Sequence, residues 1–150
     1  MSEHIVKRHN KNLMLYHIVC PVKYRRRVIS NAVAQTIKKT CLEISECYEI
    51  HFVEIGIDKD HVHFLTQSVP MMLAVRMVQA IKSITAKEIF KQHKEIKEQL
   101  KKGSFWTSGY YINTVGRYGN ETVISNYVKN QGKTYCQIHR DQLALFEGLE

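Results

Sequence analysis

Several things this 150-residue chain lacks narrow what it can be. It has no apolar run near the roughly twenty residues that a membrane-spanning helix needs. The opening residues, "MSEHIVKRHNKN", lack the apolar core of a secretion signal, so a cytoplasmic protein is expected. Two prolines and seven glycines form no linker, and no repeat or low-complexity segment appears; a single domain over 1–150 follows. The four cysteines, Cys20, Cys41, Cys47 and Cys136, contain no C-x-x-C pair and read as ordinary thiols in a reducing compartment. "HIVC" (17–20) has a ligand-like spacing, but without a second pair it is a weak zinc signal.

Acidic residues are also scarce in one place. Residues 1–40 hold nine lysines and arginines against the single acid Glu3, which gives 9 − 1 = +8; the other 13 basic and 13 acidic residues cancel. Charge segregated in this way is either a solvated face with a basic tail or a footprint for a polyanion. No basic amphipathic helix with large apolar anchors occurs there, so a membrane surface fits less well.

What is present reads as alternating elements. "LMLYHIVCPV" (13–22) is β-forming and is stopped at Pro21. From about Arg26 to Cys47 the apolar spacing is helical, with Arg25, Arg26 and Arg27 at the N-terminal end. "YEIHFVEIGID" (48–58) and "HVHFLTQ" (61–67) form an antiparallel pair across the turn Asp58-Lys59-Asp60. A long amphipathic helix covers 71–92, and a polar stretch runs to Gly103. "FWTSGYYINTVG" is a fourth strand entered through Gly109, and a last helix follows from Asn120 to Gly132. The order β-α-β-β-α-β-α predicts an α+β, ferredoxin-like (split βαβ) fold: a four-stranded antiparallel sheet with helices on one face. The opposite face is expected to stay open, with His61 and His63 on it.

Side chains at i and i+2 of a strand share a face, so His61 and His63 stand side by side. Two neutral imidazoles can supply two ligands to a divalent metal, or can simply be strand histidines with no ligand. Tyr127 and Gln131 are four apart on the last helix and therefore share a face. Spacing alone favours a packed ring and a solvated amide there. It also permits a nucleophile beside a neutral oxygen ligand. Tyr110 and Tyr111 fall in a predicted strand and read as core, while Tyr118 and Tyr135 fall in loops. Phe105 and Trp106 could stack on a base, but anchoring the fourth strand in the core fits them better.

"KYRRRVI", "EIGIDKDHVHFL", "FWTSGYYINTVG" and "ISNYVKNQ", in this order, closely resemble the IS200/IS605-type transposases, the single-tyrosine members of the HUH nuclease superfamily. The resemblance runs from about residue 5 to 135 and includes the hydrophobic Val62 between the histidines. It implies that His61, His63 and Gln131 hold Mg²⁺ or Mn²⁺, and that Tyr127 attacks a phosphodiester of single-stranded DNA. It further implies a 5′-phosphotyrosine link, a freed 3′-OH, and strand exchange at stem-loop-flanked transposon ends. A prokaryotic homodimer is implied, in which the tyrosine helix of one subunit completes the other's site, with Gly116 and Gly119 as hinge. No nucleotide cofactor is expected: phosphotyrosine keeps the bond energy for rejoining, and no Walker-type loop is present. Lys7, Arg8, Lys11, Lys23, Arg25, Arg26 and Arg27 would then grip DNA phosphates.

Other readings remain. A domesticated relative similar to the REP-associated tyrosine nucleases would cut host hairpin repeats, although the short tail after Gln131 favours the transposon type. A non-catalytic RRM-like binder shares the element order, but would carry aromatics where His61 and His63 stand. A two-histidine phosphoesterase would need two H-x-[ST] motifs, and "HFL" follows Val62 instead.

Overall fold

Alternation, burial and register together place the site. The computed structural model describes residues 4–101 and 103–115, and the main chain of 134–136. A small hairpin, β1 (Ile5–Val6) and β2 (Lys11–Asn12), precedes β3 (Met14–Pro21). Then come α1 (Asn31–Cys47), β4 (His51–Ile57), β5 (His61–Ser68), α2 (Ala74–Gln92), a short α3 (Lys94–Gln99), β6 (Tyr111–Val115) and β7 (Thr134–Cys136). The sheet order is β6-β3-β5-β4-β7, with every neighbouring pair antiparallel. Its first four strands, with α1 and α2 as the crossovers, are the split-βαβ arrangement expected from the sequence. The predicted helix over 120–132, with Tyr127 and Gln131, lies outside the described residues, as do Gly116 and Gly119.

One face of the sheet is oily because the strands alternate. Tyr16, Ile18 and Cys20 of β3 and Val62 and Phe64 of β5 meet Val33, Ile37, Cys41 and Ile44 of α1 and Met77, Val78, Ile81 and Ile89 of α2. Each such fully buried aliphatic or aromatic side chain stabilises the fold by roughly 1.5–3 kcal/mol. A register shift between Phe52 and Glu54 lets β4 keep Ile55 and Ile57 in this core.

Four expectations need correction. Helix α1 starts at Asn31, not near Arg26: the Ser30 Oγ accepts from the Val33 N–H at 3.3 Å and caps it, which leaves Arg25–Arg27 in the loop before it. Among the described residues the fourth strand covers only Tyr111–Val115. Residues 105–107 instead pair with the end of β3 (Lys23 N–H to Phe105 O, 2.8 Å; Thr107 N–H to Pro21 O, 3.0 Å), and Lys82 Nζ pins the break by donating to the Thr107, Ser108 and Gly109 carbonyls. Phe105 and Trp106 are buried, as the core reading required, but Tyr110 and Tyr111 are exposed: Tyr110 lies at the break, and Tyr111, paired with Val19 in β6, stands on the face that carries His17. The face away from α1 and α2 is not open. Leu15, Val53, Leu65 and Val115 form a second apolar cluster, and His17 and His63 are each only 5% exposed. The hairpin before β3 and the edge strand β7 were not foreseen; both are too short to leave a periodic signal.

Candidate active site

The turn between β4 and β5 presents the histidine pair. The Asp58 N–H donates to His61 O at 2.9 Å, and the Asp58 carboxylate accepts from the Lys59 N–H at 2.7 Å, so the turn is closed by its own residues. His61 opens β5 and His63 follows on the same face, their ring centroids 4.9 Å apart. Register puts Pro21 opposite His61 and Val19 opposite His63, so His17 comes in diagonally on the neighbouring strand.

Each histidine of the pair is oriented through its Nδ1. His61 Nδ1 lies 2.7 Å from the Asp60 Oδ1, and a carboxylate only accepts; Nδ1 therefore carries a proton, and in the neutral ring the lone pair is on Nε2. His63 Nδ1 lies 3.0 Å from His17 Nε2, the two rings stacked 10° from parallel with centroids 5.2 Å apart. In the arrangement where His63 Nδ1 donates, its Nε2 is also a ligand atom. Tyr111, 56% exposed, meets His17 edge-on at 6.1 Å. Asp60 is held in turn by Arg25, whose Nε and Nη2 both lie 3.1 Å from its Oδ2.

The electrostatics fit a ligand role. Burial, then the charges of His61 and His17, push the His63 pKa down to about 4, with Asp58 opposing. Burial also lowers the His17 pKa against the pull of Asn113. Both rings are thus neutral near pH 7, as metal ligation requires. Burial pulls Asp60 upward, but hydrogen bonds from His61 and Arg25 and their charges outweigh it and keep the carboxyl below its ordinary value. Among the described residues, Asp58, Asp60 and His61 offer donor atoms within 4.8 Å of one another, a group able to hold a cation. We read Asp60 as the orienting member of that group, since both its oxygens are already engaged, in the carboxylate–histidine arrangement common behind metal ligands.

The structure thus brings His61 and His63 together; Gln131 and Tyr127 lie outside the described residues. The "HIVC" pairing is ruled out by alternation, since His17 faces the site and Cys20 the helix-side core. The basic residues separate. Lys23 and Arg25–Arg27 border the site, with Arg25 to Arg27 exposed, whereas Lys7, Arg8 and Lys11 belong to the β1–β2 hairpin and its turn, where Lys7 pairs with Glu49. The sequence alone did not point to His17 or Asp60. His17 was visible as a polar residue inside an apolar strand, but its partner is set by register. Tyr24 and Arg25 are left-handed at φ 59° and 53°, a conformation costing non-glycine residues on the order of 1 kcal/mol or more each.

Fold and site together define a split-βαβ α+β protein whose sheet face away from α1 and α2 carries an imidazole pair suited to a divalent cation. The family model described as "Transposase IS200 like" matches residues 10–131, and the chain belongs to that family. It is therefore a transposase, an enzyme that cleaves DNA and transfers its strands. It is 29% identical over 116 residues to the ISDra2 transposase TnpA of Deinococcus radiodurans, which covers 77% of this chain and 82% of the relative. It is 28% identical to the transposase for insertion sequence element IS200 of Salmonella typhimurium, over 77% of this chain and 75% of that one. Among solved structures, a candidate transposase from Deinococcus radiodurans R1 superposes with a TM-score of 0.69 at 25% identity, covering 87% of this chain and 99% of the other. A REP-associated tyrosine transposase bound to a REP hairpin shares the fold, at a TM-score of 0.58 and 8% identity over 83% of this chain and 71% of that one. No helix among the described residues is long and apolar enough to cross a membrane.

Proposed function

We propose that this transposase, a single domain over 1–150, cuts and rejoins single-stranded, stem-loop-flanked transposon ends through Tyr127, at a centre where His61, His63 and Gln131 hold Mg²⁺ or Mn²⁺. The observation that carries the reading is the shared orientation of His61 and His63, each engaged at Nδ1, so that both can offer Nε2 on one face. A bound divalent cation would polarise the scissile phosphate and offset the charge that builds on it.

The Tyr127 oxygen attacks phosphorus as its phenolic proton is lost. The P–O3′ bond breaks, the 3′ oxygen takes up a proton, and the 5′ phosphate remains on the tyrosine. A 3′-OH from another end then attacks that phosphotyrosine, closing a new phosphodiester and returning the phenol. Bond energy is conserved across the two steps, so no nucleotide cofactor is needed. The enzyme acts as a cytoplasmic homodimer in a prokaryote, with the tyrosine helix of one subunit serving the histidines of the other.

Incubation with single-stranded transposon-end DNA and Mg²⁺ or Mn²⁺ should give a covalent adduct on a denaturing gel. Tyr127→Phe should abolish it, and His61→Ala with His63→Ala should abolish cleavage. An adduct that survives Tyr127→Phe overturns the nucleophile; unaltered cleavage without the histidines overturns the metal centre. Mixing the two inactive proteins should restore activity if sites are shared, and no recovery would mean that each helix serves its own subunit.

A further inference from the structure

Beside the histidine centre lies a segment whose shape is held against its own preference. Tyr24 (φ 59°, ψ 20°) and Arg25 (φ 53°) are consecutive left-handed residues, and neither is glycine. Main-chain hydrogen bonds fix the loop around them: Val22 N–H to Asp60 O (2.8 Å), Lys23 N–H to Phe105 O (2.8 Å), Arg25 N–H to Val22 O (2.8 Å) and Ile29 N–H to Lys59 O (3.0 Å). Two of these four reach the turn that carries His61. The product of this constraint is an aromatic ring pushed into solvent, with Tyr24 75% exposed. Lys23 Nζ sits 5.5 Å from the ring centroid, and the exposed Arg25, Arg26 and Arg27 follow directly.

An exposed ring has no packing reason to be held in a strained turn, and strain of this kind persists where surrounding contacts over-determine it for a functional purpose. A flat π-face among cations matches the needs of one ligand class, an unpaired nucleobase whose neighbouring phosphates are neutralised by the flanking side chains. We propose that Tyr24 is a stacking platform for a base of the single strand, placed next to the His61–His63 centre, with Lys23, Arg26 and Arg27 gripping the adjoining backbone. Arg25 ties the platform to the centre through Asp60, so that a strand stacked on Tyr24 is registered against the metal ligands. This inference rests on the single-strand reading of the function and adds a residue to it that chooses which nucleotide sits where.

The test uses the full chain, in EDTA so that nothing is cut, and a single-stranded oligonucleotide in which 2-aminopurine replaces each base in turn. Binding of the unaltered protein and of Tyr24→Phe should quench the probe at one position. Tyr24→Asn, which tolerates a left-handed backbone, should lose that quench and bind about fivefold to a hundredfold more weakly. Its salt dependence should not change, since no charge is removed. Quench and affinity unchanged in Tyr24→Asn overturn the proposal, and so does a loss seen only as an altered salt slope, which would make the segment purely electrostatic. If Tyr24→Asn melts at a lower temperature, Tyr24→Gly, which removes the ring and relaxes the strain, must show the same loss of quench. An unaltered protein that binds no single strand overturns the functional reading itself, whereas normal binding with no quenched position overturns this inference alone.

Discussion

At the scale of single residues, the proposed centre rests on groups that need never touch DNA. Asp60 accepts the hydrogen bond from His61 Nδ1 at 2.7 Å and is itself held by Arg25, so in the neutral ring it leaves Nε2 to ligate. Removing such an orienting carboxylate typically costs 10- to 100-fold in metal affinity. Asp60→Ala should therefore weaken Mn²⁺ binding by about that factor in calorimetric titration. Asp60→Asn, which keeps an acceptor, should fall between; equal affinity in all three proteins would remove Asp60 from the centre. Titration gives a second expectation, for the metal-free protein. Burial lowers the pKa of His17, of His51 (with Lys7 adding to the effect) and of His63, the last to about 4. Below the ordinary histidine value of 6.5 the unfolded chain binds more protons than the folded one, so stability is complete above that pH and declines as pH falls from 6.5 toward 4. Urea midpoints measured in chelator should drop between pH 7.5 and pH 5, and a flat profile would show that these rings protonate without cost in the folded state.

Elements decide how firmly the site is held. Helix α2 anchors the 103–110 segment by two means: Lys82 grips three successive carbonyls, and the buried Thr85 Oγ1 accepts from the Trp106 indole N–H at 3.0 Å. Thr85→Val keeps the shape but leaves that indole N–H buried and unpaired, which costs about 1–3 kcal/mol. Chemical denaturation should register the loss; a change within error would mean that the indole finds another acceptor. This same segment explains what could be read from the sequence. Helices α1 and α2 and strands β3 to β5 were legible because each repeats its apolar residues at 3.6 or 2.0 over many positions. The strand end at 105–110 was not, because Gly109 and the aromatics around it look the same whether the chain pairs or breaks, and Lys82, 25 residues before Thr107, decides it. The left-handed turn at Tyr24–Arg25 carries no local signal at all: neither residue favours that backbone, and hydrogen bonds to Asp60, Phe105 and Lys59 impose it. His61 and His63 were legible from alternation alone, whereas His17 required the β3–β5 register.

Over the whole molecule, seven of the nine basic residues in the N-terminal block divide into two patches, while Lys38 and Lys39 lie on α1. Strand β3 has eight residues, at about 3.4 Å each, so its ends lie roughly 24 Å apart. The hairpin with Lys7, Arg8 and Lys11 adjoins the Met14 end, opposite Ser68, while Lys23 and Arg25–Arg27 follow the Pro21 end, opposite His61. One cation in each patch is partly spent, Lys7 on Glu49 and Arg25 on Asp60. Arg26 and Arg27 border the centre, and Arg8 and Lys11 are remote from it, so the two pairs should serve different parts of a DNA end. A short single strand that reaches only the histidines should sense Arg26 and Arg27. Replacing both with Ala should lower the slope of log affinity against log salt by about 1.4, at 0.7 per lost single-strand contact. The same strand should be indifferent to Arg8→Ala with Lys11→Ala, but a longer DNA carrying a stem-loop should lose affinity and salt dependence with that pair as well. Equal responses of the short strand to both pairs would mean that the protein presents one continuous basic surface, and that the separation along β3 has no bearing on how it holds DNA.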